Sequence, residues 1–218
     1  MILRGRLGLL RLGQPPRWVW PVGVAVAVCL GGFALLSILL LRSLLADNIQ
    51  FAAGRGDIDA VKRFLAEGVD VNATECDRNA TALHLAAEGG RRDVAELLLD
   101  SGANVQLRDN MGFTALDLAV KNRHVALARL LLDHGADPNA AGSGGHTSLH
   151  WAARAGDLNC VELLLSRGAE VNPVAYSLTG RPSTPLDRAA RHPDVARVLR
   201  EAGGVSASEL GRPATTRQ

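Results

Sequence analysis

Six residues, Thr81-Ala82-Leu83-His84-Leu85-Ala86, return in close copies as Thr114 to Ala119, Thr147 to Ala152 and Thr184 to Ala189. The first two intervals are 33 residues each, and Gly102, Gly135 and Gly168 close successive units in step. A fixed period of this length constrains the fold more than any property of composition. Each unit is one supersecondary element, too small to bury its own apolar face, so stability must come from stacking each unit on the next.

Two helices per unit follow from the residues. Thr81 is placed to cap a first helix, and Leu83, Ala86 and Ala87 follow at helical spacing, the alanines small enough for close helix approach. Thirteen residues after each threonine begins a second apolar set at i, i+3, i+4. These sets are Val94, Leu97, Leu98; Leu127, Leu130, Leu131; and Cys160, Leu163, Leu164. The Thr-x-Leu-His/Asp-x-Ala signature at this period resembles the ankyrin repeat, a β-turn finger followed by two antiparallel helices. The resemblance covers Asp47 to Gly204. The expected fold class is therefore all-α: an ankyrin-repeat solenoid of about five helix-turn-helix units with β-turn fingers, preceded by one transmembrane helix.

That helix is read from the amino-terminal segment. Residues 1–17 form a basic tail with Arg4, Arg6, Arg11 and Arg17, and 24 uncharged residues, Trp18 to Leu41, follow before Arg42. From Pro21 to Leu41 are 21 residues, enough at ~1.5 Å each to cross a ~30 Å hydrocarbon core, with Trp18 and Trp20 at the interface. The expectation is a signal anchor over 18–42. A cleaved signal peptide is the alternative, weakened by the length of the run and by Leu44-Leu45-Ala46 at the cleavage position. The arginine bias keeps the amino terminus cytoplasmic and turns the repeats to the periplasm or exterior; cytoplasmic repeats are the alternative topology. With this segment the chain resembles bacterial membrane-anchored or periplasmic ankyrin proteins. Gly23, Ala27 and Gly31 form a small-xxx-small row suited to helix packing and a homodimer.

The units are expected at about 47–73, 74–106, 107–140, 141–173 and 174–204, with a disordered tail at 205–218. The first lacks the signature, as a terminal unit facing solvent would. Asn79 replaces a finger glycine and is suited to positive φ, whereas Arg123 stands where Gly90 and Gly156 turn between helices, leaving that loop's conformation open. The last unit has a finger four residues longer, carrying Pro173, Tyr176 and Pro182, and helices expected to be shortened.

Charge and motifs bound the chemistry. Met1 to Ala46 carries five arginines and no acid; the remainder has 19 basic and 22 acidic residues. No basic stripe in the repeats suits nucleic acid. His84, His150, Asp117 and Asp187 occupy the fourth signature position and are read as capping residues. His146 and His150 have no third ligand at metal spacing. Asp57, Asp93 and Asp157 suit the start of the second helix. Cys160 reads as a core residue and Cys76 as an unreactive finger thiol. No catalytic, cofactor-binding or metal site is expected, and no enzyme.

What the resemblance implies is a protein-binding surface on the finger tips and first helices. The positions that match are Arg78, Glu88, Met111, Phe113, Lys121, His146, Trp151, Arg154, Tyr176 and Arg181. Met111, Phe113, Trp151 and Tyr176 are large apolar side chains at projecting positions, the kind that carries binding energy. The alternative for Phe113 and Trp151 is packing against adjacent fingers. The expected function is a membrane-anchored scaffold or interaction module for another protein. The alternative is a self-associating structural subunit of a membrane assembly.

Overall fold

The computed structural model describes residues 48–75, 77–177 and 179–210. The expected span over 18–42, with Gly23, Ala27 and Gly31, lies outside the described residues, as does Cys76. Among the described residues no helix is long and apolar enough to cross a membrane.

Helices alternate in pairs along the repeat region. The first helices are α1 (Ile49–Arg55), α3 (Ala82–Glu88), α5 (Ala115–Lys121), α7 (Ser148–Ala155) and α9 (Pro185–Arg188). The second helices are α2 (Ile58–Ala66), α4 (Arg92–Asp100), α6 (Val125–Asp133), α8 (Leu158–Ser166) and α10 (Pro193–Glu201). First helices stack on first helices and second on second, giving two layers. The small side chains predicted to allow this are buried along the layer of first helices: Ala53, Ala86, Ala87, Ala119, Ala152 and Ala153 are completely inaccessible. Leu98, Leu131, Leu164 and Leu199 seal the second layer. One apolar core thus runs through all the units, as stacking requires.

Local chemistry sets the helix ends. Asn48, Asp57 and Asp157 cap α1, α2 and α8, each side chain accepting the backbone N–H three residues on. Asp93 is not equivalent to Asp57 and Asp157; it lies inside the first turn of α4, beyond the Arg91 cap.

The last unit gives its long finger a definite form and departs from expectation in its helices and in the segment that follows. Its long finger is a β-hairpin, with β1 (Ala175–Tyr176) antiparallel to β2 (Pro182–Ser183). Only its first helix is short: α9 has four residues, whereas α10 has nine, as do the other second helices. Pro193 enters α10 at its first turn, where a missing N–H costs nothing. Residues 205–210, expected to be disordered, are ordered. Val205 donates to Asn172 Oδ1 at 2.8 Å, its carbonyl accepts from Thr184 Oγ1 at 2.7 Å, and Ala207 donates to Asp187 Oδ2 at 2.9 Å. A final helical turn, α11 (Ala207–Leu210), follows; residues 211–218 lie outside the described residues.

Candidate functional site

The signature residues build the scaffold of the site. Thr81 N–H donates to His84 Nδ1 at 3.2 Å, so the ring's other nitrogen carries the proton and Nε2–H donates to the Phe113 carbonyl of the next finger at 3.1 Å. His150 repeats this, accepting from Thr147 N–H at 3.1 Å and donating to the Ser183 carbonyl at 3.2 Å. Burial disfavours the charged imidazole, lowering the pKa of His84 and pushing that of His150 down to about 4. Each neutral ring therefore ties one unit to the following finger.

Asp117 does this work differently. Its Oδ2 accepts from Thr114 N–H and Oγ at 3.0 Å each, while Oδ1 accepts from the Ser148 hydroxyl of the next unit at 2.6 Å. Complete burial pushes its pKa up against these hydrogen bonds. Gln50, which holds the same place in α1, donates from Nε2 to the Ala73 carbonyl at 2.7 Å.

Fingers are joined tip to tip. Asn110 donates from its backbone to the Arg78 carbonyl at 2.8 Å, and Ser143 Oγ donates to the Met111 carbonyl at 2.8 Å. Asp109 Oδ1 accepts from the N–H groups of Met111 and Phe113 at 2.9 Å each, fixing the turn that presents both side chains. Gly144, at φ 71°, allows the last hairpin to approach: a Cβ there would meet the Tyr176 carbonyl at 2.6 Å.

Between the third, fourth and fifth fingers and their first helices lies a cavity of about 580 Å³. Its aromatic floor is continuous. Phe113 and Trp151 meet edge-on with ring centroids 5.2 Å apart, and His146 stacks on Trp151 at 5.2 Å with planes inclined by 28°. Arg188 donates to His146 Nε2 at 2.6 Å, so Nδ1 carries the proton and donates to the Ser143 carbonyl at 3.1 Å. Met111 forms a wall and is 57% exposed. Cations surround the floor: Lys121 Nζ stands 4.9 Å from the Phe113 ring centroid, and Arg154 and Arg188 line the cavity directly.

The predicted surface residues thus divide. Met111, Phe113, His146, Trp151 and Arg154 share the cavity, and Lys121 covers one of its rings. Phe113 does not project; it is 8% exposed and forms the floor. Tyr176 and Arg181 are exposed on the hairpin outside the cavity lining. Arg78 and Glu88 pair with each other at 3.1 Å in the second unit. Arg188 was missed in the sequence, although it stands four residues after its threonine, the place Trp151 holds in the preceding unit.

Both nitrogens of His146 and of His150 are engaged. Among the described residues no group of three or more His, Cys, Asp or Glu is placed to hold a metal ion. Cys160 is buried and its thiol is pushed up to about 12, chiefly by desolvation and then by the Asp157 carboxylate, which leaves it inert.

A stack of helix pairs with joined fingers and a side-chain-lined groove defines a solenoid that presents a surface. The family model for ankyrin repeats matches in three overlapping copies, at residues 49–142, 114–175 and 141–208, and the chain belongs to that family. Ankyrin repeats are protein–protein interaction modules. The chain is similar to serine/threonine-protein kinase 12 of Arabidopsis thaliana, 42% identical over 67 residues, which is 31% of this chain and 14% of that protein. It is similar to myotrophin of Xenopus tropicalis, 46% identical over 54 residues, 25% of this chain and 45% of that protein. The NF-kappa-B inhibitor cactus of Drosophila melanogaster is 37% identical over 59 residues, 27% of this chain and 12% of that protein. The chain therefore matches less than half the length of each of these relatives.

Proposed function

We propose that this chain is a membrane-anchored interaction module that holds another protein against the fingers and first helices of its third, fourth and fifth units. The observation that carries the reading is the cavity floored by Phe113, Trp151 and His146 and walled by Met111. Most large apolar side chains of the stack are spent on the core, and the exposed ones outside this cavity, such as Phe51 and Tyr176, line no part of it; Met111 is 57% exposed beside aromatic rings that share its cavity. Exposed apolar surface bordered by polar groups marks interaction sites. The tether is the uncharged run Trp18 to Leu41, and the arginines before it direct the repeats to the periplasm or exterior.

Two arms of one experiment test the reading. A reporter active only outside the cytoplasm, fused after Gly204, is expected to be active with the full-length product retained in the membrane. Chemical crosslinking in the native host is expected to give a heterologous adduct that is lost with Met111→Asp. An adduct of the chain with itself, lost on Gly31→Leu and insensitive to Met111→Asp, would replace this reading with a self-associating membrane subunit.

A further inference from the structure

We propose that the groove takes a linear acidic segment of the partner protein, one that inserts a large apolar or aromatic side chain beside Met111 and Trp151 and sets its carboxylates against Lys121, Arg154 and Arg188. This deepens the reading above and rests on it. A cavity of about 580 Å³ lies inside the ~300–1,000 Å³ range of ligand pockets. It has room for a bulky side chain with its adjoining backbone, and not for a folded surface. The adaptable thioether of Met111 suits such an anchor.

The electrostatics select the flanking residues. No acidic side chain lines the cavity. Arg78, Arg92, Arg123, Arg167 and Arg197 each have a carboxylate within 4.0 Å. Among the described residues, Lys121, Arg154 and Arg188, like several cations elsewhere in the stack, have none, but these three gather at one cavity: Lys121 stands over its Phe113 ring, and Arg188 is oriented by His146 through Nη2 and by the Ser183 hydroxyl through Nε at 3.2 Å. Guanidinium groups that line a cavity without an acidic neighbour recognise carboxylates by charge-assisted hydrogen bonds. The chain itself supplies no suitable occupant outside the described residues. Met1 to Ala46 carries five arginines and no acid, and Gly211 to Gln218 carries Arg212 and Arg217 and no acid. Neither segment offers an acidic side chain to these cations, and so the occupant we propose is another protein.

The test is selection from a display library of random linear peptides on the full-length protein in detergent micelles, followed by fluorescence anisotropy with labelled synthetic peptides. Enriched peptides are expected to combine Asp and Glu with one aromatic or large aliphatic residue. Replacing their acids by amides is expected to weaken binding about tenfold or more, as is Arg154→Glu, and added salt to weaken it further. Arg154 and Met111 are exposed, so Arg154→Glu and Met111→Asp should leave the helical circular dichroism and its melting unchanged. Peptides that lose binding on Met111→Asp but are indifferent to removal of their acids would overturn the acidic specificity and leave the interaction reading standing. Sedimentation showing self-association that either groove variant abolishes would assign the groove to a second copy and overturn the proposal. Failure to enrich any peptide sensitive to either variant would overturn both readings.

Discussion

The junction between the third and fourth units is built from different chemistry than the junctions on either side of it. At the flanking junctions an imidazole carries the tie: His84 reaches the Phe113 carbonyl and His150 the Ser183 carbonyl. In the loop behind, a second imidazole lies over a glycine, His124 over Gly90 and His192 over Gly156, where a Cβ would come within 2.3–2.8 Å of ring atoms. The middle junction replaces each of these. Asp117 accepts from Ser148, and Arg123, in the glycine's place, faces Asp157 at 3.6 Å. Arg123 keeps the left-handed turn at φ 64°, against 67° at Gly90 and 68° at Gly156, so the loop left open by the sequence is conserved in shape. The lesson is that a repeat position is not substituted alone. Where the large residue moves into the glycine's place, the residue of the next unit that would have collided with it is the small Asp157.

The largest effect is expected from Asp117→Ala. It strips a fully buried site of the only acceptor for the Ser148 hydroxyl and for Thr114 N–H, and two orphaned donors at ~1–3 kcal/mol each imply a loss of about 4 kcal/mol in urea unfolding. A loss smaller than that of His150→Ala would break the distinction between the junctions.

Acid should separate the junctions next. The unfolded His150 ring takes up a proton near pH 6.5 and the folded ring only near 4, so its contribution is whole above pH 6.5 and is lost as pH falls toward 4. At ~1.4 kcal/mol per pH unit this is on the order of 3 kcal/mol, and His84 acts in the same direction. Asp117 has the opposite sign: its raised pKa favours the folded state most below the unfolded value of 3.8, and that contribution is lost as pH rises through the folded value. His150→Gln borrows the solution that Gln50 already uses in the first unit. It should keep stability at pH 7 and flatten the loss between pH 6.5 and 4; unfolding midpoints as steep with pH as in the parent would sink this account.

The loops give the smaller effects. Gly90→Arg copies the middle junction into its neighbour without the matching partner, bringing a Cβ to within 2.6 Å of the His124 ring, and should cost about 2 kcal/mol. Arg123→Gly gains a relaxed turn and gives up a 3.6 Å contact from an exposed guanidinium to the buried Asp157 carboxylate, which keeps its hydrogen bond from Cys160 N–H, and melting curves should show a change below about 1 kcal/mol in either direction. Equal costs for the two substitutions would mean that the imidazole and carboxylate partners do not matter.

Much of this architecture was legible in the residues, for local reasons. Thr81, Thr114, Thr147 and Thr184 cap the first helices, with the residue three further on closing a reciprocal hydrogen bond, because a capping box is made by neighbours in the chain. Asn79 has φ 53°, as its place in the finger implies. The apolar sets of the second helices are buried where their spacing puts them, except that Leu97 packs at the margin. The candidate site was legible in part. Residue type and repeat position pointed to Met111, His146, Trp151 and Arg154, but left Phe113 open between projecting and packing against its neighbours, and passed over Arg188. Which way a ring turns is settled by its neighbours: the Phe113 side chain lies against Trp151 of the next unit's first helix, and Arg188 is aimed by His146, 42 residues earlier in the chain.

The 33-residue period, the caps and the apolar spacing by themselves determined that this chain is a stack of helix pairs, because each depends on contacts within a turn or two of helix. Only the tertiary structure decided how one unit holds the next. The partners of Gln50, His84, Asp117 and His150 lie 23, 29, 31 and 33 residues away. Ser148, which the sequence shows only as the residue after the capping threonine, is the donor to a buried carboxylate. The order of residues 205–210 likewise rests on Asn172, Thr184 and Asp187, polar groups that the stack happens to leave at its open end. Side-chain direction and the exclusion of water from a junction exist only once two units are in contact, and they are what turn a periodic pattern into a particular groove.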